Sequence, residues 1–242
     1  VPLLLVSIAA LLGTIVTPHL SHAWEQGRRD EVARQLRLVL KLVAFVLVAG
    51  GTAVLAAAPL IFGVAFHNKY ALGQAVLPWT LTYCTWFGLQ YISQNWLWCN
   101  EKTRLASLPI VAGLAVNVAL NLALLPRLGL LGAVLATTAG NAVVLSGMAV
   151  CNRRLGLRLD RGVWTGFALP LALAFGPWVS GAALALVAAI VWRSDALLTA
   201  EEKEQLLDGL RHYHRRLRGW ASSLSRPDEA PVAEQLPMSN CP

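Results

Sequence analysis

The chain has 242 residues, 56% of them hydrophobic and only 14% charged, with a formal net charge of +7. A soluble domain of this length needs more polar surface than that, so the expected fold is all-α, a polytopic transmembrane helix bundle. Four cysteines (Cys84, Cys99, Cys151, Cys241) show no metal-ligand or disulfide spacing, and no metal or cofactor is expected.

A spanning helix needs about 20 apolar residues. The runs 1–24, 38–65, 74–98, 105–125 and 129–151 are predicted spans, and 162–192 is either one overlong helix or a hairpin turning at Gly176-Pro177. Basic residues separate the two readings. A hairpin puts 18 of the 20 Lys and Arg on one side of the membrane and 2 on the other, whereas a single span gives 11 and 9. Positive residues favour cytoplasmic loops, so a hairpin, seven membrane helices and a cytoplasmic tail are expected. Each hairpin arm would be roughly 15 residues, or about 22 Å by helical rise, which implies tilt or local bilayer thinning. An odd count entered from outside, an abrupt apolar start and no signal-peptide n-region suggest a chain missing its first half.

In chain order, the connection 25–37 (EQGRRDEVARQLR) reads as an amphipathic cytoplasmic helix. Its Arg28 and Arg29, like Arg153 and Arg154 further on, serve either as positive-inside anchors or as contacts for anionic headgroups or a substrate pyrophosphate. Helix 74–98 is rich in uncharged polar groups. Tyr83, Gln90 and Gln94 fall on one face, with Tyr91 and Asn95 on the adjoining stripe. These groups either line a substrate path beside aromatic surface or hydrogen-bond neighbouring helices. Trp96 and Trp98, near the cytoplasmic end, read as aromatic-belt anchors.

Residues 117–138, NVALNLALLPRLGLLGAVLATT, carry Asn117 and Asn121 one helical turn apart in an apolar segment. Amides cannot face lipid cheaply, so that side must be covered, with Thr137, Thr138 and Asn141 of the next helix as partners or a substrate as the alternative. Pro126 and Gly129 predict a tight outside turn, and Gly132, Ala133, Ala136, Gly140 and Gly147 a closely packed following helix.

This stretch matches a pattern N-V-x-L-N-x-x-L-I-P-x-x-G-x-x-G-A-A-x-A-T, with mild departures at Leu125 and Val134. It resembles the C-terminal half of the polysaccharide and lipid-linked oligosaccharide flippase family, in the superfamily of lipid II flippases and multidrug extruders. The resemblance covers 1–151 well and the final hairpin loosely. It implies a C-terminal lobe, the missing N-terminal half of the same polypeptide as partner, and a bacterial inner membrane location. It also implies alternating access for a lipid-linked saccharide substrate, rocking about a central cavity. In that picture the uncharged, Ala-rich hairpin 162–192 would offer a groove for the lipid tail.

No Asp or Glu lies within a predicted span, which leaves no obvious cation-coupling carboxylate here and argues against a membrane enzyme. No nucleic-acid partner is expected. The rivals are a multidrug or cation antiporter of the same superfamily, a polytopic polysaccharide-assembly enzyme, and a non-transporting membrane scaffold. Beyond the bundle (1–193), Thr199 and Glu202 predict a capping box opening an amphipathic helix within 194–220. The Ser-, Pro- and Glu-rich 221–242 is expected to be disordered.

Overall fold

The computed structural model describes residues 2–65, 71–194, 197–199 and 201–204. It is helical, with no strand among the described residues: α1 (Pro2–Glu25), α2 (Arg29–Leu60) running into a π-helical turn (Ile61–Ala65), α3 (Ala71–Ser93), α4 (Asn95–Cys99), α5 (Thr103–Leu128), α6 (Leu130–Arg154), α7 (Arg161–Ala168), α8 (Leu171–Ala174) and α9 (Pro177–Arg193). Four stretches are long and apolar enough to cross a membrane: Leu5–Glu25, Arg29–Val64, Thr103–Leu128 and Leu130–Arg154. With α3 and the two arms made by α7–α8 and α9, seven segments run between two ends of the bundle.

The segment 25–37 is not a separate amphipathic helix. A three-residue turn at 26–28 leads straight into α2, whose buried Val32, Leu36, Leu40, Val43 and Leu47 form one continuous stripe. The polar first turns therefore share a face with the membrane-crossing part, and nothing between them breaks the helix. Asp30 and Glu31 occupy the first turn, where the helix dipole favours negative charge.

Three turns gather at one end of the bundle and close in the same way. Gly27, Glu101 and Gly156, all at positive φ, each follow a helix whose last carbonyls accept from the next two amides: Arg28 to Ala23 and Gly27 to Trp24, Lys102 to Leu97 and Glu101 to Trp98, Leu157 to Asn152 and Gly156 to Arg153. This is the Schellman arrangement, in which a left-handed residue satisfies orphan carbonyls. Every described Lys and Arg of residues 1–198 lies toward this end except Arg127.

The expected single helix over 74–98 is two. It breaks at Gln94 because side-chain amides take up carbonyls where the α-helical ladder would continue. Asn95 Nδ2 donates to the Ile92 carbonyl (3.0 Å) and Asn152 Nδ2 to the Ser93 carbonyl (3.0 Å), while Leu97 N–H bonds Gln94 instead. Trp96 is likewise not a belt anchor. It is buried, stacked edge-on with Trp24 (5.4 Å), and its indole donates to the Leu155 carbonyl (3.3 Å). Trp98 is exposed, against Tyr91.

Residues 162–192 do form a hairpin. Pro170 interrupts the first arm, and the Phe167 and Pro170 carbonyls beside the break accept from Trp86 Nε1 (2.8 Å) and Thr82 Oγ1 (3.1 Å) of α3. Gly176, at φ 100°, makes the turn, and Pro177 starts α9. The chain then returns until the Leu197 carbonyl lies against Gly162, at the start of the first arm. Lys41 of α2, its side chain 7% exposed, pairs with Asp160 at 2.6 Å, and Asp160 also caps α7 by accepting from Val163 N–H (3.0 Å).

The core lies where α1, α2, α3 and the hairpin meet, around fully buried Leu20, Leu36, Leu40, Leu47, Leu81, Leu89, Ile92 and Leu173. The α5 helix stands at the edge and buries only Ala106, Pro109 and Gly113, chiefly against α6. There the backbones touch. A β-carbon at Gly113 would lie 2.7 Å from the Gly140 carbonyl oxygen, and one at Gly147 would lie 2.8 Å from Pro109 Cβ. Small residues permit this approach, as the sequence pattern implied.

A second unit begins at Thr199. Within it Thr199 N–H donates to Glu202 (2.9 Å) and Glu202 N–H to Thr199 Oγ1 (3.3 Å), the expected capping box. The rest of the expected amphipathic helix and the tail 221–242 lie outside the described residues.

Candidate substrate cleft

A cleft of about 330 Å³ opens between α3, α5 and α6. Its walls are Phe87, Gln90, Tyr91 and Gln94 from α3, Ile110, Gly113, Leu114 and Asn117 from α5, and Gly140, Asn141, Val144 and Met148 from α6. Phe87, Ile110 and Leu114 are exposed and form its rim. By helical rise Asn141 lies roughly 20 Å from the basic end of α6 and Gln94 roughly 8 Å from the end of α4, so the polar lining runs from mid-depth toward the basic end.

The amides in the cleft divide by what they already bind. Gln90 is 8% exposed and donates to both Asn141 Oδ1 (3.1 Å) and the Asn141 carbonyl (2.9 Å). Asn141 Nδ2 donates to the Thr137 carbonyl (2.9 Å), and Asn117 Nδ2 donates to Thr137 Oγ1 (3.3 Å). Asn121 in turn donates to Asn117 Oδ1 (2.6 Å) and to its carbonyl (3.0 Å). One hydrogen-bonded chain thus ties α3 to α6 and α6 to α5. Gln94 and Tyr91 differ: among the described residues their side-chain polar atoms make no hydrogen bond, and both line the cleft.

Four of the seven substrate-path candidates, Gln90, Tyr91, Gln94 and Asn117, therefore share one cleft. Tyr83 does not line it, lying about two turns further along α3. Asn121 acts behind Asn117 rather than in the lining. Asn95 faces α1, on the side where Tyr91 one turn earlier packs against Gly13: it is 1% exposed and accepts from Thr17 Oγ1 of α1 (2.8 Å).

Of the motif residues, Gly129 (φ 55°) forms the α5–α6 turn directly after the last turn of α5, which holds Pro126, and a β-carbon at Gly132 would meet the Leu124 carbonyl oxygen at 2.5 Å. Thr137 and Asn141 act in the network, whereas Thr138 bonds only its own helix at Val134 (2.8 Å). The sequence reading assigned Asn141 to packing, yet it also lines the cleft. It missed Phe87, although that residue lies on the Tyr83–Gln90–Gln94 stripe, and it missed the apolar wall Ile110, Leu114, Val144 and Met148.

The basic candidates lie apart from the cleft. Arg28 pairs with Glu31 (2.7 Å), Arg29 sits over the Trp24 ring (5.0 Å to the centroid), and Arg153 and Arg154 are exposed in the last turn of α6. Their positions at the basic end fit anchoring, and the C-terminal end of α6 favours positive charge.

The profile of the family described as "Lipid II flippase MurJ" matches residues 1–197, well over half of the chain. The chain belongs to this family. No curated protein and no solved structure matches it. Members of the family are flippases, transporters of a lipid-linked precursor rather than catalysts, and its apolar helices make the chain a multi-pass protein of the bacterial inner membrane.

Proposed function

We propose that the cleft between α3, α5 and α6 is one wall of the cavity through which a lipid-linked saccharide headgroup crosses the membrane by alternating access. The observation that carries this reading is the division of labour among its polar groups. Gln90, Asn117 and Asn141 are spent on holding three helices together, while Gln94 and Tyr91 present uncommitted polar atoms beside Phe87. Amide and hydroxyl groups next to an aromatic face suit a sugar, and an apolar rim suits its carrier. The cleft borders the bare outer face of α5, where a second helical lobe of the same polypeptide would close it. The basic end would face the cytoplasm, with the C-terminal tail, and Arg28, Arg29, Arg153 and Arg154 would meet lipid phosphates there. The hairpin's uncharged surface would receive the lipid tail, which a photocrosslinker at Leu171, on its first arm, should capture.

The test uses the intact gene deleted in its host, with lipid-linked saccharide precursors quantified on each face of the inner membrane. Accumulation on the cytoplasmic face, reversed by the gene, is expected. Gln94→Ala and Tyr91→Phe should each slow translocation about five- to tenfold, the worth of one hydrogen bond of about 1–1.5 kcal/mol, while leaving thermal stability unchanged. Normal precursor distribution with drug hypersensitivity would overturn the saccharide reading in favour of an extruder. Full transport by both variants would remove the cleft from the substrate path.

A further inference from the structure

We propose that α9 holds a locally thinned bilayer against this side of the protein, with phospholipid acyl chains as the occupant of its outer face. The inner side of α9 is accounted for, since Ala183, Leu184 and Val187 pack on the core and Ser180 is buried, donating to the Gly176 carbonyl (3.0 Å). The outer side is wholly apolar between two almost bare indoles, Trp178 at 88% exposure and Trp192 at 92%. An indole has an apolar body and one N–H donor, so it settles where hydrocarbon meets headgroups. Two such rings at opposite ends of one lipid-facing helix mark the two interfaces.

The length between them is short. Fourteen residues of helix separate Trp178 from Trp192, about 21 Å by rise, against a hydrocarbon core of about 30 Å. The helical span of α9 cannot be lengthened. Gly176 at φ 100° breaks the chain just before Pro177, and Arg193 and the extended Ser194 end the helix. Tilt would shorten its vertical reach further. A mismatch of about 9 Å between this helix and the hydrocarbon core is met by bending the lipid toward α9. This rests only on the bundle spanning a membrane, not on the identity of what it transports.

Spin-label depth measurements on the full-length protein in dioleoyl phosphatidylcholine vesicles test it. Cys84, Cys99, Cys151 and Cys241 are replaced by alanine, and single labels are placed at Val179→Cys and Ile190→Cys on α9. Both α9 positions are exposed and leave the tryptophans in place. The two depths below the hydrocarbon boundary sum to local thickness minus vertical separation. On α9 the sum is expected to be about 5 Å if the bilayer thins to the tryptophan spacing, and about 14 Å if it keeps full thickness. Greater accessibility of both labels to oxygen than to the aqueous relaxant verifies insertion of the labelled protein. An α9 sum near 14 Å overturns the proposal. So do α9 labels shielded from both oxygen and the aqueous relaxant, because another protein chain would then cover the face.

Discussion

Gly113→Ala puts one methyl group where the structure has no room. Its β-carbon would lie 2.7 Å from the Gly140 carbonyl oxygen and closer still to Val144, whereas ordinary contact begins at 3.4 Å, so α5 and α6 must part by at least about 0.7 Å. Overpacking of this kind costs about 1–3 kcal/mol. The same movement stretches the Asn117–Thr137 hydrogen bond from 3.3 Å to about 4 Å, outside bonding range, for a further 0.6–1.5 kcal/mol or so. Because α5 buries so little against anything but α6, no other contact shares the strain. The sum, about 2–4 kcal/mol, corresponds to a fall of roughly 5–15 °C in the apparent unfolding temperature of a chain this size. The assay is thermal loss of the monodisperse peak of the purified full-length protein in detergent. Gly181→Ala is the control, since nothing lies within 4 Å of a β-carbon there, and helix propensity alone should leave it unchanged or slightly more stable. If Gly113→Ala melts within a degree of Gly181→Ala, the backbone contact between α5 and α6 does not exist as described.

Other expectations follow from the polar joints. Asp160→Ala should cost about 2–3 kcal/mol, the buried-pair figure discounted for the exposed third of its side chain plus the lost α7 cap, and Lys41→Met clearly less, since it removes the buried charge with its partner's attraction; the reverse order in thermal denaturation would refute this account of the ion pair. Trp86→Phe removes the 2.8 Å bond to the Phe167 carbonyl, worth about 1–1.5 kcal/mol, and should raise amide exchange in 161–176 without changing it in α1. Unchanged exchange there would show that the hairpin is held by packing alone. Glu101→Gly should stabilise by about 0.5–1 kcal/mol, because Glu101 sits at φ 57° in the left-handed cap of α4; a loss of stability would assign its side chain a contact of its own.

Composition and charge were enough to determine the class of this protein and the course of its chain. Apolar runs must form helices where no water can satisfy the backbone, and the basic residues could be placed on one side only if 162–192 turned back at Gly176-Pro177. The glycines of the 113–147 region were legible as a close helix contact because the absence of a side chain is itself a statement about distance. The positions of the amides were another matter. Period alone put Tyr83, Gln90 and Gln94 on one stripe and Asn95 beside them, assuming an unbroken helix. Tertiary structure broke that helix, since Asn152, fifty-nine residues away, claims the Ser93 carbonyl and Asn95 turns to Thr17. Which amide bonds another helix and which is left facing a cleft depends on partners that are distant in sequence, and no local pattern encodes them. The same holds for Trp96, an anchor by position and a core residue by contact. Local chemistry fixes where a polar group can be tolerated, while only the packed bundle decides whether that group is already spent.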